Sequence, residues 1–203
     1  MTNESNNSNG HAYVDLGLPS GTLWATCNVG ANRPEDCGDY YAWGETKPKE
    51  SYNWTSYEHA NNNRDELNKY CGRIDHSDSG KLDNLAFLQS DDDVAAKKWG
   101  NEWCMPTNEQ WEELMNNTAN KWTTQEGVKG LLFSASNGNS LFLPVGGLRS
   151  DKLMYHDEGY YWSNSLNPNY PNFAFGFYFR MDKTYVYIYS RYYGFLVRPV
   201  LKK

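Results

Sequence analysis

The chain has 203 residues, of which 39% are hydrophobic and 22% charged, and its formal net charge is −6. That length suits one domain of ordinary size with its own core, and no apolar run approaches the roughly 18 residues needed to cross a bilayer. The acidic balance excludes nucleic acid and acidic membrane as partners attracted by bulk charge.

The charge is uneven, because residues 149–203 hold eight basic and four acidic side chains, leaving −10 for the first 148. A locally positive C-terminal quarter is expected. Aromatic residues are uneven too: 16 of the 32 fall in the last 49 residues, and ten of those are tyrosine.

Residues 1–10, rich in Asn, Ser and Gly, lack the basic and apolar regions of a signal peptide and read as a disordered lead-in. Residues 11–203 read as one domain. Its first part, to about Tyr57, carries a strand start at Tyr13-Val14-Asp15-Leu16 among Gly and Pro turn signals. Residues 58–80 are polar and predict a long surface excursion.

Two helices follow. Ser90 or Asp91 can cap the first, with Asp92 and Asp93 in its positive first turn, Lys97 and Lys98 in its last turn, and Gly100 as its stop. The second opens on Thr107-Asn108-Glu109-Gln110, the spacing of a capping box, and repeats Trp111, Leu114 and Met115 at i, i+3 and i+4. Leu131–Ser134 and Ser140–Leu143 then read as strands, and Tyr160, Tyr161 and Trp162 as core. Helices in the middle with strands at both ends predict an α+β domain with short antiparallel sheets and paired N- and C-terminal strands.

Residues 173–189 alternate with period two on both sides of Arg180-Met181-Asp182-Lys183, which predicts an antiparallel hairpin. In its first strand Phe175, Phe177 and Phe179 are the expected core set, leaving Phe173, Gly176 and Tyr178 outward. In the second, Val186 and Ile188 are the better core residues, which turns Tyr185, Tyr187 and Tyr189 to solvent. Ser190-Arg191-Tyr192-Tyr193-Gly194-Phe195 continues as an exposed loop or bulged strand. The expected ligand-binding residues are therefore Phe173, Tyr178, Arg180, Tyr185, Tyr187, Tyr189, Ser190, Tyr192, Tyr193 and Phe195, with Lys183 and Arg191 as further flanking cations. Tyrosine gives a large rigid contact area at low entropic cost, which suits recognition surfaces. The competing reading packs these tyrosines beneath a loop. The two are separated by replacing Tyr185, Tyr187 and Tyr189 with Ser, which the outward reading expects to leave the melting temperature nearly unchanged.

Catalytic and metal patterns are absent. His11, His59, His76 and His156 stand apart from any nucleophile motif, and no G-x-S-x-G, Walker or H-E-x-x-H pattern occurs. Asp91-Asp92-Asp93 is explained by the helix dipole, and neither a metal nor a cofactor is expected. Cys27, Cys37, Cys71 and Cys104 show no zinc-ligand spacing and read as small buried hydrophobes, with a local Cys27–Cys37 bridge open to a secreted chain.

Several stretches carry a resemblance: VDLGLPSGTLWATCNVGA at 14–31, GDYYAWGE at 38–45, WGNEWCMPTNEQWEEL at 99–114, NGNSLFLPVGGLR at 137–149, GYYWSNS at 159–165 and RYYGFLVRPV at 191–200. In content and order they resemble the Fibrobacter succinogenes major paralogous domain of gut Bacteroidetes. The resemblance implies a C-type lectin-like fold of the kind related to formylglycine-generating enzymes. It also implies the variable protein of a diversity-generating retroelement, whose C-terminal segment is rewritten at adenines and displayed for ligand binding. Residues 161–200 resemble such a region, with a frame of Tyr161-Trp162-Ser163, Ala174, Arg191, Gly194 and Val197-Arg198-Pro199-Val200. Met181 and Lys183 do not fit an adenine-substituted Asn codon, so these turn positions either lie outside the diversified set or count against diversification.

The expected function is non-enzymatic recognition or adhesion, toward a protein first, with glycan stacking by a non-diversified surface module as the alternative. The calcium-lectin tripeptides EPN, QPD and WND are absent, and no cysteine lies beyond Cys104 to supply the reactive pair of the enzyme branch. The resemblance places the chain outside the cell, on a bacterial surface or a phage virion, without membrane insertion.

Overall fold

The computed structural model describes residues 6–201. In chain order the elements are β1 (Asn7–Ser8), β2 (His11–Asp15), β3 (Leu23–Ala25), α1 (Val94–Trp99), β4 (Trp103–Cys104), α2 (Asn108–Asn117), β5 (Ala119–Gln125), β6 (Val128–Ser134) and β7 (Ser140–Pro144). They continue with β8 (Leu148–Arg149), β9 (Leu153–Met154), β10 (Gly159–Leu166), β11 (Phe173–Arg180), β12 (Lys183–Ser190) and β13 (Val200–Leu201). The class is α+β, with mostly antiparallel sheets and two helices.

The chain ends meet in a sheet of order β1-β2-β3-β13-β4. Val200 of β13 lies between Trp24 of β3 and Cys104 of β4, so the N- and C-terminal strands share a sheet with β3 interposed. Of the expected lead-in, residues 1–5 lie outside the described residues. Residues 6–10 are instead built into the fold, because Asn7 and Ser8 pair with Ala12 and His11 and the Asn9 amide donates to the Trp99 carbonyl.

Local chemistry places the second helix as expected. The Thr107 hydroxyl accepts from the Gln110 N–H at 3.1 Å and the Gln110 side chain accepts from the Thr107 N–H at 2.9 Å. Trp111 and Leu114 are buried, and the Trp111 ring stacks on Phe177 of β11 at 4.7 Å.

The first helix starts later than expected. Its cap is Asp93, with neither Ser90 nor Asp91 in that role, and no acid sits in its first turn. One carboxylate oxygen of Asp93 accepts from Ala95 and Ala96, while the other accepts from the Met105 N–H at 2.8 Å. That long-range bond decides the register. Asp93→Ala should cost about 2–3 kcal/mol in urea unfolding, because it removes a cap and strands a buried N–H.

Residues 58–80 hold only a 3-10 turn, Ile74–His76, and they are less superficial than expected. Leu67, Tyr70 and Cys71 are buried, and the Tyr70 ring meets Trp43 edge-on at 5.1 Å. Cys71 is buried while Cys27 and Cys37 are half-buried, and these three are free thiols, so Cys27 and Cys37 are not bridged. Among the described residues no helix is long and apolar enough to cross a membrane.

Candidate functional site

The C-terminal hairpin forms β11 and β12, joined through Met181-Asp182 and paired without a register shift from Phe173↔Ser190 to Arg180↔Lys183. Its register reconciles the two strand parities. Odd positions of β11 lie opposite even positions of β12, so Phe177 faces Val186 and Phe175 faces Ile188, while Tyr178, Gly176 and Ala174 lie opposite Tyr185, Tyr187 and Tyr189. Because side chains alternate along each strand, one face carries the Phe, Val and Ile residues and the other the tyrosines. The first face packs on α2 through Phe177, and Phe179 is also buried.

The other face is a tyrosine surface only in part. β10 adds Tyr160 opposite Tyr178 and Trp162 opposite Gly176, and Leu196 bridges to Tyr161 on the far side of β10. Phe195 lies over this sheet, stacked on Trp162 at 4.1 Å, with Tyr160 and Tyr189 at 5.2 and 5.1 Å. Gly176 makes the space: a Cβ there would come within 3.2 Å of the Phe195 ring and 3.3 Å of the Tyr189 ring. The rings grade from sealed to open across the sheet. Phe195 is fully buried, Tyr178 is 6% exposed, Tyr189 is half-buried, and Tyr185 and Tyr187 are 40% and 59% exposed.

Five expectations therefore change. Phe195 is a core ring, since its backbone is clamped to Tyr41 and it fills the gap above Gly176. Tyr178 is buried between Tyr160 and Tyr185, at 5.1 and 4.7 Å. Phe173 and Ser190 alternate onto the opposite face from the tyrosines and are half-buried, and Phe175 beside them is half-buried where core was expected. Tyr192 and Tyr193 are half-buried, with Tyr192 edge-on to Trp54 at 5.2 Å and Tyr193 parallel to Phe195 at 6.2 Å.

The fifth change concerns charge. Arg191 is fully buried: it donates to the Tyr57 hydroxyl and to the carbonyls of Lys69, Tyr70 and Pro171 at 2.8–3.2 Å, with its guanidinium 4.9 Å from the Trp43 ring centre. Arg198 is buried as well, donating to Asn28 and to the carbonyls of Ala25 and Thr26. Arg180 pairs with Asp182 at 2.8 Å. Much of the positive charge expected on this surface is thus internal or neutralised, and Lys183 is the exposed cation of the hairpin.

The surface also includes residues that periodicity does not reveal. Tyr155, 52% exposed, leans on Tyr160 at 6.1 Å from a turn outside the hairpin. Glu158 accepts from the Tyr160 hydroxyl at 2.5 Å. Burial, and then the charge of Glu158, push the Tyr178 phenol up to about 12, and burial raises Tyr189. These phenols stay protonated donors at neutral pH. Beyond the turn, a shallow cleft of about 430 Å³ is lined by Trp122, Lys129, Glu158, Arg180 and Met181.

Replacing Tyr185 and Tyr187 together with Ser should shift the unfolding free energy by no more than about 1 kcal/mol, since the two residues are 40% and 59% exposed. Tyr189→Ser alone should cost about 2–3 kcal/mol, because that ring packs on Phe195 and Tyr160. The three tyrosines are not equivalent, contrary to the expectation that all are dispensable for folding.

Among the described residues no group of three His, Cys, Asp or Glu side chains could hold a metal ion. No protein-family model, curated protein or solved structure matches the chain.

Proposed function

We propose that this chain is a non-enzymatic recognition domain of C-type lectin-like fold that binds a macromolecule, a protein by preference, through the tyrosine face of its C-terminal hairpin. The observation that carries this reading is the grading of that face. Tyr185 and Tyr187 stand open to solvent on a wall of Tyr178, Tyr160, Tyr189 and Phe195, which holds them from beneath. A supported ring loses little freedom on contact and offers apolar area with a hydroxyl at its tip.

The resemblance of residues 14–200 to the Fibrobacter succinogenes major paralogous domain supports a variable protein of a diversity-generating retroelement, displayed at a bacterial surface or on a phage. The packing accords with that division of labour, since Trp162, Arg191 and Arg198 of the resembling frame are buried whereas Tyr185 and Tyr187 between them are open. A template repeat differing from the codons of residues 161–200 only at adenines, beside a reverse-transcriptase gene, is the expected genomic context. A gene without either has no diversification, and the glycan-stacking surface module is then the reading left.

Parallel arrays of purified surface proteins and of glycans, the latter with and without chelator, test the ligand class. Protein binding lost in the Tyr185→Ser/Tyr187→Ser protein is expected. Chelator-insensitive glycan binding lost in the same variant would support the alternative, and binding indifferent to both tyrosines would contradict the assignment of the surface.

A further inference from the structure

The hairpin has a second resource besides its rings. β12 is the edge of the sheet β10-β11-β12, and among the described residues no other strand pairs with it. Outside the ladder, the described backbone bonds touch β12 only at the Ser190 carbonyl, which accepts from Tyr193.

The direction of its backbone groups follows from the ladder. In an antiparallel pair, residues that exchange hydrogen bonds alternate with residues that do not. The Arg191 N–H donates to the Asn172 carbonyl at 3.2 Å, one step beyond the Phe173↔Ser190 pair, and this fixes the phase. Tyr185, Tyr187 and Tyr189 therefore point their N–H and C=O groups inward at β11. Thr184, Val186 and Ile188 point theirs outward, spaced about 7 Å apart along the strand.

α2 touches β12 from the face where Trp111 meets Phe177, but three other devices that blunt a sheet edge are missing. The edge has no proline, its register against β11 is unbroken over eight pairs, and its only charge is Lys183 at the end. The edge strand β5, by contrast, is polar, with Asn120, Lys121, Thr123, Thr124 and Gln125. Donor and acceptor groups in that spacing are complemented by extended polypeptide, and not by a glycan or a helix, whose polar groups follow other spacings.

We infer that β12 takes up an extended segment of a protein partner as an added strand, bonded to the backbone of Thr184, Val186 and Ile188 and flanked by the rings of Tyr185 and Tyr187. This rests on the proposed recognition function and assigns its partner a chemistry. Main-chain pairing supplies affinity that does not depend on side-chain identity, and the exposed rings on the tyrosine face supply selectivity.

The test uses random linear peptides of about twelve residues, long enough to span the strand, panned on the full chain. Recovered peptides are then measured on the wild type, on Ile188→Pro, on Thr184→Pro and on the Tyr185→Ser/Tyr187→Ser protein. Proline at 184 or 188 deletes an outward N–H without removing a bond to β11. Peptide affinity should fall about tenfold or more in both proline variants. Amide exchange on the wild type, which needs no variant to fold, should show Thr184, Val186 and Ile188 gaining protection in the complex.

Unchanged affinity in folded proline variants, or outward amides that exchange in the complex as they do in the free chain, would overturn strand addition. Failure to recover any peptide would overturn it too, and if the wild type self-associates while Ile188→Pro is monomeric, the occupant is a second copy of the chain. Binding lost only in the tyrosine variant leaves the tyrosine surface standing without strand addition. Binding lost only in the proline variants upholds strand addition and removes the tyrosines from recognition.

Discussion

Arg191→Met is expected to lower the unfolding free energy by about 3–5 kcal/mol, a fall in melting temperature of about 10 °C for a chain of this size. The guanidinium satisfies the Tyr57 hydroxyl and three carbonyls, those of Lys69, Tyr70 and Pro171, and no carboxylate pairs with it among the described residues. Methionine fills a similar space but leaves those acceptors buried without donors. Removing the charge recovers its desolvation cost, which is why the loss is not larger. Arg191→Lys should recover little, because an ammonium has three donors and no plane to lie against Trp43. Urea unfolding of both variants checks this, and a loss below about 1 kcal/mol for Arg191→Met would mean that water replaces the lost donors.

Trp162→Ala should cost a similar amount, about 3–5 kcal/mol, by opening a cavity where two supports cross. The indole is fully buried, stacks on Phe195 at 4.1 Å, and donates to the Tyr41 carbonyl at 2.8 Å. Its own carbonyl accepts from Trp111 of α2, so it ties the helix side of the sheet to the tyrosine side. Trp162→Phe keeps the stack, and because the Tyr41 carbonyl retains the Phe195 N–H, it should cost only about 1 kcal/mol. Since Phe195 supports Tyr189, Trp162→Ala should also weaken ligand binding without touching an exposed ring. A Trp162→Ala protein that melts and binds like the wild type would contradict the layered description of this face.

What the sequence discloses about this fold follows from how far each determinant reaches. The capping box at Thr107 and the hairpin at Arg180–Lys183 are written in neighbouring residues, and both appear where the spacing places them. The alternation of Phe with Ala, Gly and Tyr, and of Tyr with Val and Ile, separates the two faces for every residue but Phe173, because antiparallel pairing joins odd positions of one strand to even positions of the other.

Determinants that act across the chain are not legible in this way. Asp93 caps α1 because its second oxygen is held by Met105, and Arg191 is buried because Lys69 and Tyr70 fold under it from more than a hundred residues away. Phe195 falls in a stretch that reads as an exposed loop or bulged strand, yet its N–H and C=O both exchange hydrogen bonds with Tyr41. The polar strand β5 is left unassigned because nothing in Asn120–Gln125 alternates in hydrophobicity, and it forms by pairing with the apolar β6. The division within the tyrosine cluster depends on the same long-range packing, which alone tells Tyr189 from Tyr187.

The most direct measurement pairs binding with stability on one protein, the Tyr185→Ser/Tyr187→Ser variant. Its unfolding free energy should lie within about 1 kcal/mol of the wild type while affinity for an array-identified protein ligand falls at least tenfold. Undiminished affinity, or a melting temperature lowered as far as in Tyr189→Ser, would contradict the claim that these two rings serve recognition on a scaffold that folds without them.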